Sequence, residues 1–511
     1  MFQISFNLGQ SMSRTLSNMG LERMLYHLPD QRPALEDLAA MSESQLPRLV
    51  QECSVAMGYI RLFGALDWKH FPERPDQRIW PDFPPIPFSA FSAACLVKID
   101  RNLVYMSDLR QFLVEHPALL WVLGFPLFKS RRYPWGFDAN ASLPTERHFC
   151  RLLRQMPHPT LEYLLDSTVE HIQTELASEV AGFGQAISLD TKHIIAWVKE
   201  NNPKQYIEGK RYEKTQQPKG DPDCKLGCKR RRNQRTKKEA QASATPTANP
   251  IPAAQIPVKD ADYYWGYGSG VVATKVQDWG EFVLAELTQT FDHADVNYFF
   301  PLMAQVERRL GFRPKYGAMD AAYDAFYIYD YFHQAGGFAA VPLVEKGKAP
   351  RRTFDKDGLP LCAAELSMPL KMAYLDRTTA IIEYERGQYV CPLFFPHPTN
   401  QSCPTNDEHW AKGGCATTIA TSIGARIRHT LPRSSDAYKD VYRQRTATER
   451  VNSQAKEFGI ERPKLRNADS IRNLNTLTYV LINLHALQRV RQRMALRNQA
   501  NSPEEGVGIP A

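Results

Sequence analysis

Four side chains in the segment YRQRTATERVNSQAKE, residues 442–457, are of types that do chemistry together. They are the phenol of Tyr442, the guanidinium of Arg445, the carboxylate of Glu449 and the ammonium of Lys456, at offsets 0, 3, 7 and 14. No proline or glycine interrupts them, and Arg, Gln, Ala, Glu and Lys are good helix formers, so the spacing predicts one helix. At about 100° per residue the four positions share an arc of roughly 60°. Arg443, Arg450 and Asn452 point away from that arc. The plain alternative is a solvated face knit by charge pairs, since Arg445 and Glu449 are also an i,i+4 pair.

Two further acids weigh against that alternative. AISLD is a short apolar strand with Asp190 at its exit, and PKYGAMDAAYD reads as a strand ending at Asp320. If those strands are neighbours, two carboxylates stand together at one sheet edge, and Glu449 reaches them from a helix packed on the sheet. Crowded carboxylates repel unless a cation neutralises them. Mg²⁺ takes oxygen ligands and keeps waters and substrate phosphate in its shell. Two such ions about 3.5–4 Å apart activate the attacking oxygen and steady the leaving one in phosphodiester displacement. In that setting Arg445 holds a phosphate bidentately, Lys456 acts on one as a point charge, and Tyr442 donates to or stacks on a nucleotide.

These residues need a scaffold. Residues 1–180 read as mainly helical: SAFSAACLVKIDRNL and SDLRQFLVEHPALLWVLG are helices, the second with Ser107 placed to cap it, and ASLPTERHFCRLLRQM leads into a basic amphipathic helix. Residues 181–345 read as strand and helix in alternation. DYYWGYGSGVVATKV and EFVLAELTQT are strands joined by a turn at Asp278 and Gly280. VNYFFPLMAQVERRLG is a helix closing on Gly311, DAFYIYDYFHQAGG a helix capped by Asp324, and FAAVPLVEKG a buried strand. This order implies an α/β fold with a mixed sheet flanked by helices. Residues 205–260 are inserted into it as a basic loop and a Pro-rich linker. Residues 346–440 form an irregular, β-rich insertion, 441–490 complete the core, and 491–511 are a disordered tail.

The segment Y-x₂-R-x₃-E-x₆-K, matched at Tyr442, Arg445, Glu449 and Lys456, resembles the signature of DDE-type insertion-sequence transposases of the cut-and-paste group. ISLD at Asp190, MDAAYDAFYIYDYF at Asp320 and TATERVNSQAKEFGIERPKLRN are similar to the same family, and the resemblance spans roughly 180–490. It implies a ribonuclease-H-like core in which Asp190, Asp320 and Glu449 are catalytic and hold two Mg²⁺, with Mn²⁺ as a substitute. It also implies hydrolytic nicking and strand transfer, element ends and target as double-stranded DNA partners, and a homodimeric synaptic complex; the short helices of residues 1–180, with basic, exposed faces, are compatible with a helix-turn-helix-like domain that binds the ends. A nuclease of the same fold that cuts without joining, and a DNA-binding relic without activity, are the alternatives.

The remaining composition agrees with a nucleic-acid partner. Net charge is +8 and is concentrated in CKLGCKRRRNQRTKK, where Lys229, Arg230, Arg231, Arg232 and Arg235 are candidate DNA contacts. Nine cysteines, an odd number spread thinly, suit a reducing compartment. With no leader pattern and no long apolar run, a cytoplasmic, nucleoid-associated protein without membrane contact is expected. Cys391, Cys403 and Cys415, with His397 and His409 between them, are evenly spaced but lack a C-x₂-C pair, so no metal beyond Mg²⁺ is expected.

Overall fold

The computed structural model describes residues 26, 28–29, 31–74, 85–230, 261–343, 352–377 and 381–501. Helices come first: α1 (Ser54–Phe63), α2 (Phe88–Asp100), α3 (Met106–Glu115), α4 (Pro117–Leu123), α5 (Glu146–Gln155) and α6 (His158–Leu176). Helix α3 starts one residue before Ser107. Its cap position is Tyr105, whose N–H donates to the Asp108 carboxylate at 2.9 Å, so Ser107 lies inside the first turn.

Strands β1 (Ala186–Ile195), β2 (Lys225–Arg230), β3 (Ala261–Val276), β4 (Gly280–Thr290), β5 (Tyr316–Ala318) and β6 (Phe338–Ala340) form one mixed sheet. The axis is β3. One of its edges pairs antiparallel with β1, and the other pairs antiparallel with β4 and, beyond it, with β2. β1, β5 and β6 run parallel to one another. The β3–β4 turn uses Asp278 and Gly280 at positive φ, as expected. Two expectations change here. β1 continues past Asp190 because residues as far as Ile195 go on pairing with β3. The start of the basic run is not a loop, since Lys225–Arg230 is a strand laddered on β3. Arg231, Arg232, Arg235 and the Pro-rich linker lie outside the described residues.

Helices cover both faces. On one, α7 (Phe299–Leu310) and α8 (Phe326–Gln334) pack close. Gly270 lies under Tyr298, where a Cβ would come within 2.6 Å of the ring. Ser269, pointing the opposite way, meets Tyr479 at 3.0 Å. After α9 (Ile423–Thr430) and α10 (Asp436–Arg443), that second face is covered by α11 (Thr446–Glu457) and α12 (Ala468–Asn501). The tail expected from 491 is therefore helical to Asn501, because the amphipathic run of α12 continues; 502–511 lie outside the described residues. The single helix expected over 442–457 is two, α10 and α11. Their junction at Gln444 and Arg445 keeps helical dihedrals but tightens to i→i−3 bonds, Arg445 N to Tyr442 O and Ala447 N to Gln444 O.

Helix α12 fastens the N-terminal helices to the sheet. Asn473 donates to the carbonyls of Leu153 and Met156 at 2.8 and 3.0 Å. Asn483 brackets Val283 of β4, accepting from its N–H and donating to its carbonyl, and also donates to Thr168 of α6. Each amide satisfies backbone groups that burial would otherwise strand. One apolar core consequently runs from Leu35 through the sheet to Val490.

Residues 352–430 add a three-stranded antiparallel sheet of β7 (Leu370–Asp376), β8 (Tyr384–Val390) and β9 (Ala416–Ala420), with a small core of Met368, Tyr389 and Ile419. Asp324 secures this insertion. It does not cap α8, where Ala325 stands at the cap position. Its carboxylate instead accepts two bonds from Arg428 of α9, at 2.8 and 2.6 Å, and one from Tyr329 at 2.9 Å. A bidentate guanidinium holds a buried carboxylate more strongly than a cap would. Among the described residues no helix is long and apolar enough to cross a membrane.

Candidate active site

Strand pairing positions the two aspartates. β1 and β5 are parallel with Ser188 opposite Ala318, so two residues further on Asp190 is level with Asp320. Asp320 extends β5 and caps the turn that follows, accepting from Ala322 N at 2.8 Å. That turn carries Tyr323, whose hydroxyl meets Thr191 at 2.7 Å. Full burial, followed by the charges of Asp295, Asp190 and Asp320, pushes the Tyr323 phenol well up, so it stays protonated. The residues after each aspartate thus tie the two motifs together.

Helix α11 lies against the face on which Asp190 stands. Ala447, Thr448, Val451, Asn452 and Ala455 are its buried face. Thr448 N donates to Ser188 Oγ at 3.2 Å, and Asn452 Nδ2 donates to Asp190 Oδ2 at 3.1 Å. Asn452 therefore does not point away from the site. At about 100° per residue it sits only some 20° outside the arc, on the side turned to the sheet. It is 8% exposed, and its Oδ1 is buried without a hydrogen-bond partner.

Glu449 is in the first turn of α11, half exposed, and pairs with Arg445 at 3.3 Å. Arg445 also donates to the Tyr442 hydroxyl at 3.3 Å, and Tyr442 stacks on Tyr438. Burial acts to lower the Arg445 pKa, but the Tyr442 bond and the charges of Asp190 and Glu449 raise it overall. Tyr442, Arg445 and Glu449 therefore form one chain beside Asp190. Lys456 stands apart from them and pairs with Glu461 at 3.7 Å, which also holds Lys192 at 2.9 Å.

Not every candidate converges. Among the described residues no three His, Cys, Asp or Glu side chains gather as a metal group, so Glu449 is not drawn in beside the two aspartates. Lys229 lies opposite Asp262 on β3, whereas Asp190 lies opposite Val271. Nine residues at about 3.3 Å each separate those positions by roughly 30 Å. The cysteines divide as well. Cys391 and Cys415 extend the β8–β9 register as a cross-strand pair. Burial, with the Cys391 and Cys362 thiols nearby, pushes Cys415 up to about 12. Cys403 bonds instead to Thr405 at 3.4 Å.

A patch outside the expected set lies just past the end of β1. Trp197 is 39% exposed, with Arg466 4.8 Å and Lys464 5.7 Å from its ring. Neither cation forms an ion pair with a carboxylate among the described residues. An isolated Trp after a strand gives no signal in the sequence, because the partners that define the patch are far along the chain.

No family model matches the chain, and no curated protein matches it.

Proposed function

We propose that the chain is a DDE-type DNA transposase with a ribonuclease-H-like core, acting on the ends of an insertion sequence. The observation that carries this reading is the parallel register setting Asp190 level with Asp320, with the Tyr442–Arg445–Glu449 chain on the helix beside them. A charged surface helix needs no such placement.

The donor set suits Mg²⁺, or Mn²⁺ in its place. It consists of oxygens only: the carboxylates of Asp190 and Asp320, joined by that of Glu449 once Arg445 leaves it. Bound there as a pair, the ions supply an activated attacking oxygen and a steadied leaving oxygen. The chain's own residues position the DNA. Arg445, kept charged, exchanges Glu449 for a phosphate, to which its planar fork is matched. Tyr442 orients that guanidinium. Lys456 lies about two turns along α11, where it meets the backbone further from the cut. Lys464 and Arg466, with no acid paired to them among the described residues, add a cationic patch at Trp197, and Arg147, Arg151 and Arg154 are exposed on α5. Two copies of the chain, each holding one element end, form the synaptic homodimer.

The test is cleavage of a labelled duplex carrying the DNA that flanks the gene, with Mg²⁺ and with chelator, by wild type and Glu449→Gln. Metal-dependent nicking at the element end, followed by joining and lost in the variant, is the expected result. Nicking without joining identifies a nuclease, and binding without nicking a DNA-binding relic.

A further inference from the structure

We propose that Cys391 and Cys415 are a reversible redox pair: when the surrounding thiol pool is oxidised they close a disulfide that staples β8 to β9 in the insertion. Nothing in this pairing depends on the transposase reading. The insertion has little else to hold it. Its own core is three buried residues, Met368, Tyr389 and Ile419, and along β7 only Asp376 is buried. Small units with so little burial gain most from a cross-link.

The strands bring the two thiols together. Val390 pairs with Ala416 at the end of the β8–β9 ladder, and one step further Cys391 faces Cys415. The thiols hydrogen-bond to each other. Residues directly opposite on antiparallel strands hold their Cβ atoms about 4.5–5.5 Å apart, and a disulfide spans about 3.5–4.5 Å, so closure asks for a shift of about 1 Å. Gly414 makes room for the sulfur. Its φ of 79° suits glycine, and a Cβ there would come within 2.8 Å of Cys391 Cβ and 3.0 Å of its Sγ. Cys391 is 3% exposed and Cys415 only partly buried, so one thiol is within reach of a small oxidant and the other waits behind it. Among the described residues no group of three ligands gathers here, which makes the pair a dithiol rather than a zinc site.

The oxidant is a small-molecule disulfide such as oxidised glutathione. The Cys415 sulfur attacks it, its S–S bond breaks, and one glutathione leaves with the Cys415 proton. The Cys391 sulfur then attacks Cys415, displacing the second glutathione, which takes the Cys391 proton. Two protein thiols are oxidised to one disulfide and one small disulfide is reduced to two thiols. Burial, then the Cys391 and Cys362 thiols, keeps Cys415 protonated, so the pair rests reduced and closes slowly. Closure removes freedom from the unfolded loop 392–414 and so stabilises the folded insertion.

The test is overnight incubation of the native full-length protein with excess oxidised glutathione, then alkylation, peptide mapping without reductant and thermal unfolding. Wild type should show Cys391 linked to Cys415, while the exposed Cys150 and Cys228 carry glutathione. Its unfolding midpoint should rise by a few degrees and return on reduction. Cys362→Ser should behave as wild type does, and Cys415→Ser should show neither link nor shift. Cys391 and Cys415 recovered unlinked, with Cys150 and Cys228 fully reacted, would overturn the proposal. So would a Cys362–Cys415 link, or a Cys391–Cys415 link that leaves the midpoint unchanged.

Discussion

The hydroxyls of Thr191 and Tyr323 are hydrogen-bonded at 2.7 Å, each in the segment immediately following one of the two level aspartates. This bond lies on the sheet face opposite Asn452 and holds the Asp320 turn against β1. Tyr323→Phe keeps the ring and removes only that bond. We expect a loss of about 1 kcal/mol in chemical unfolding, and a larger proportional loss in metal-dependent nicking, because the spacing of the aspartates relaxes. Thr191→Val should give the same result, and the double variant should add little to either. Additive losses would mean that the two hydroxyls act separately.

The Asp324–Arg428 pair joins the sheet domain to the insertion, with the aspartate side chain 1% exposed and the arginine 24%. Removing one partner takes the bidentate bond away from a largely buried charge. Asp324→Ala or Arg428→Gln should each cost about 3–5 kcal/mol, and a double-mutant cycle should show strong coupling. A cost below about 1 kcal/mol in either single variant would mean that the pair behaves as a surface ion pair.

His429, next to this pair, has a pKa lowered to about 4 by burial, then by the charges of Arg428 and Arg352. Its folded pKa lies below its unfolded value near 6.5, so between those limits the unfolded state binds more protons. Stability should therefore fall as pH drops from about 6.5 towards about 4 and be insensitive to this residue above about 7. Denaturant midpoints across that range should slope less in His429→Gln than in wild type. An unchanged slope would assign the acid sensitivity to other groups.

The Trp197 patch gives a prediction of a different kind. Lys464→Gln with Arg466→Gln should weaken duplex binding at all sequences alike and flatten the dependence of affinity on salt by about 0.9 for each phosphate no longer neutralised. Nicking at saturating DNA should persist. Anisotropy titrations at several salt concentrations would measure this, and an unaltered slope would remove the patch from the DNA path.

Particular residues explain what the sequence makes legible. The β3–β4 hairpin, α7 with its glycine stop and the α/β alternation are readable because local chemistry specifies them: Asp278 and Gly280 at the turn, and Gly311 in the left-handed conformation at φ 77°. Asp190 and Asp320 are recognisable at apolar strands, but their common level depends on a pairing 130 residues apart that no local pattern encodes. Asp324 looks like a cap in the sequence because its true partner, Arg428, lies far away in the insertion. Asn452 escapes notice because the four signature residues define one helix face, whereas the buried edge of α11 is fixed by what the sheet offers it. Lys229 and Arg230 sit on a strand for the same reason: the partner that makes Lys225–Arg230 a strand is Ala261–Gly266, beyond the Pro-rich linker.

The most direct test of the account is nicking of end-bearing duplex by Asp190→Asn and Asp320→Asn, each checked for folding by its thermal midpoint. If both aspartates serve one metal-dependent site, each variant folds and neither nicks with Mg²⁺ or Mn²⁺. Nicking that persists when either aspartate is neutralised would contradict a shared site and, with it, the reading built on their register.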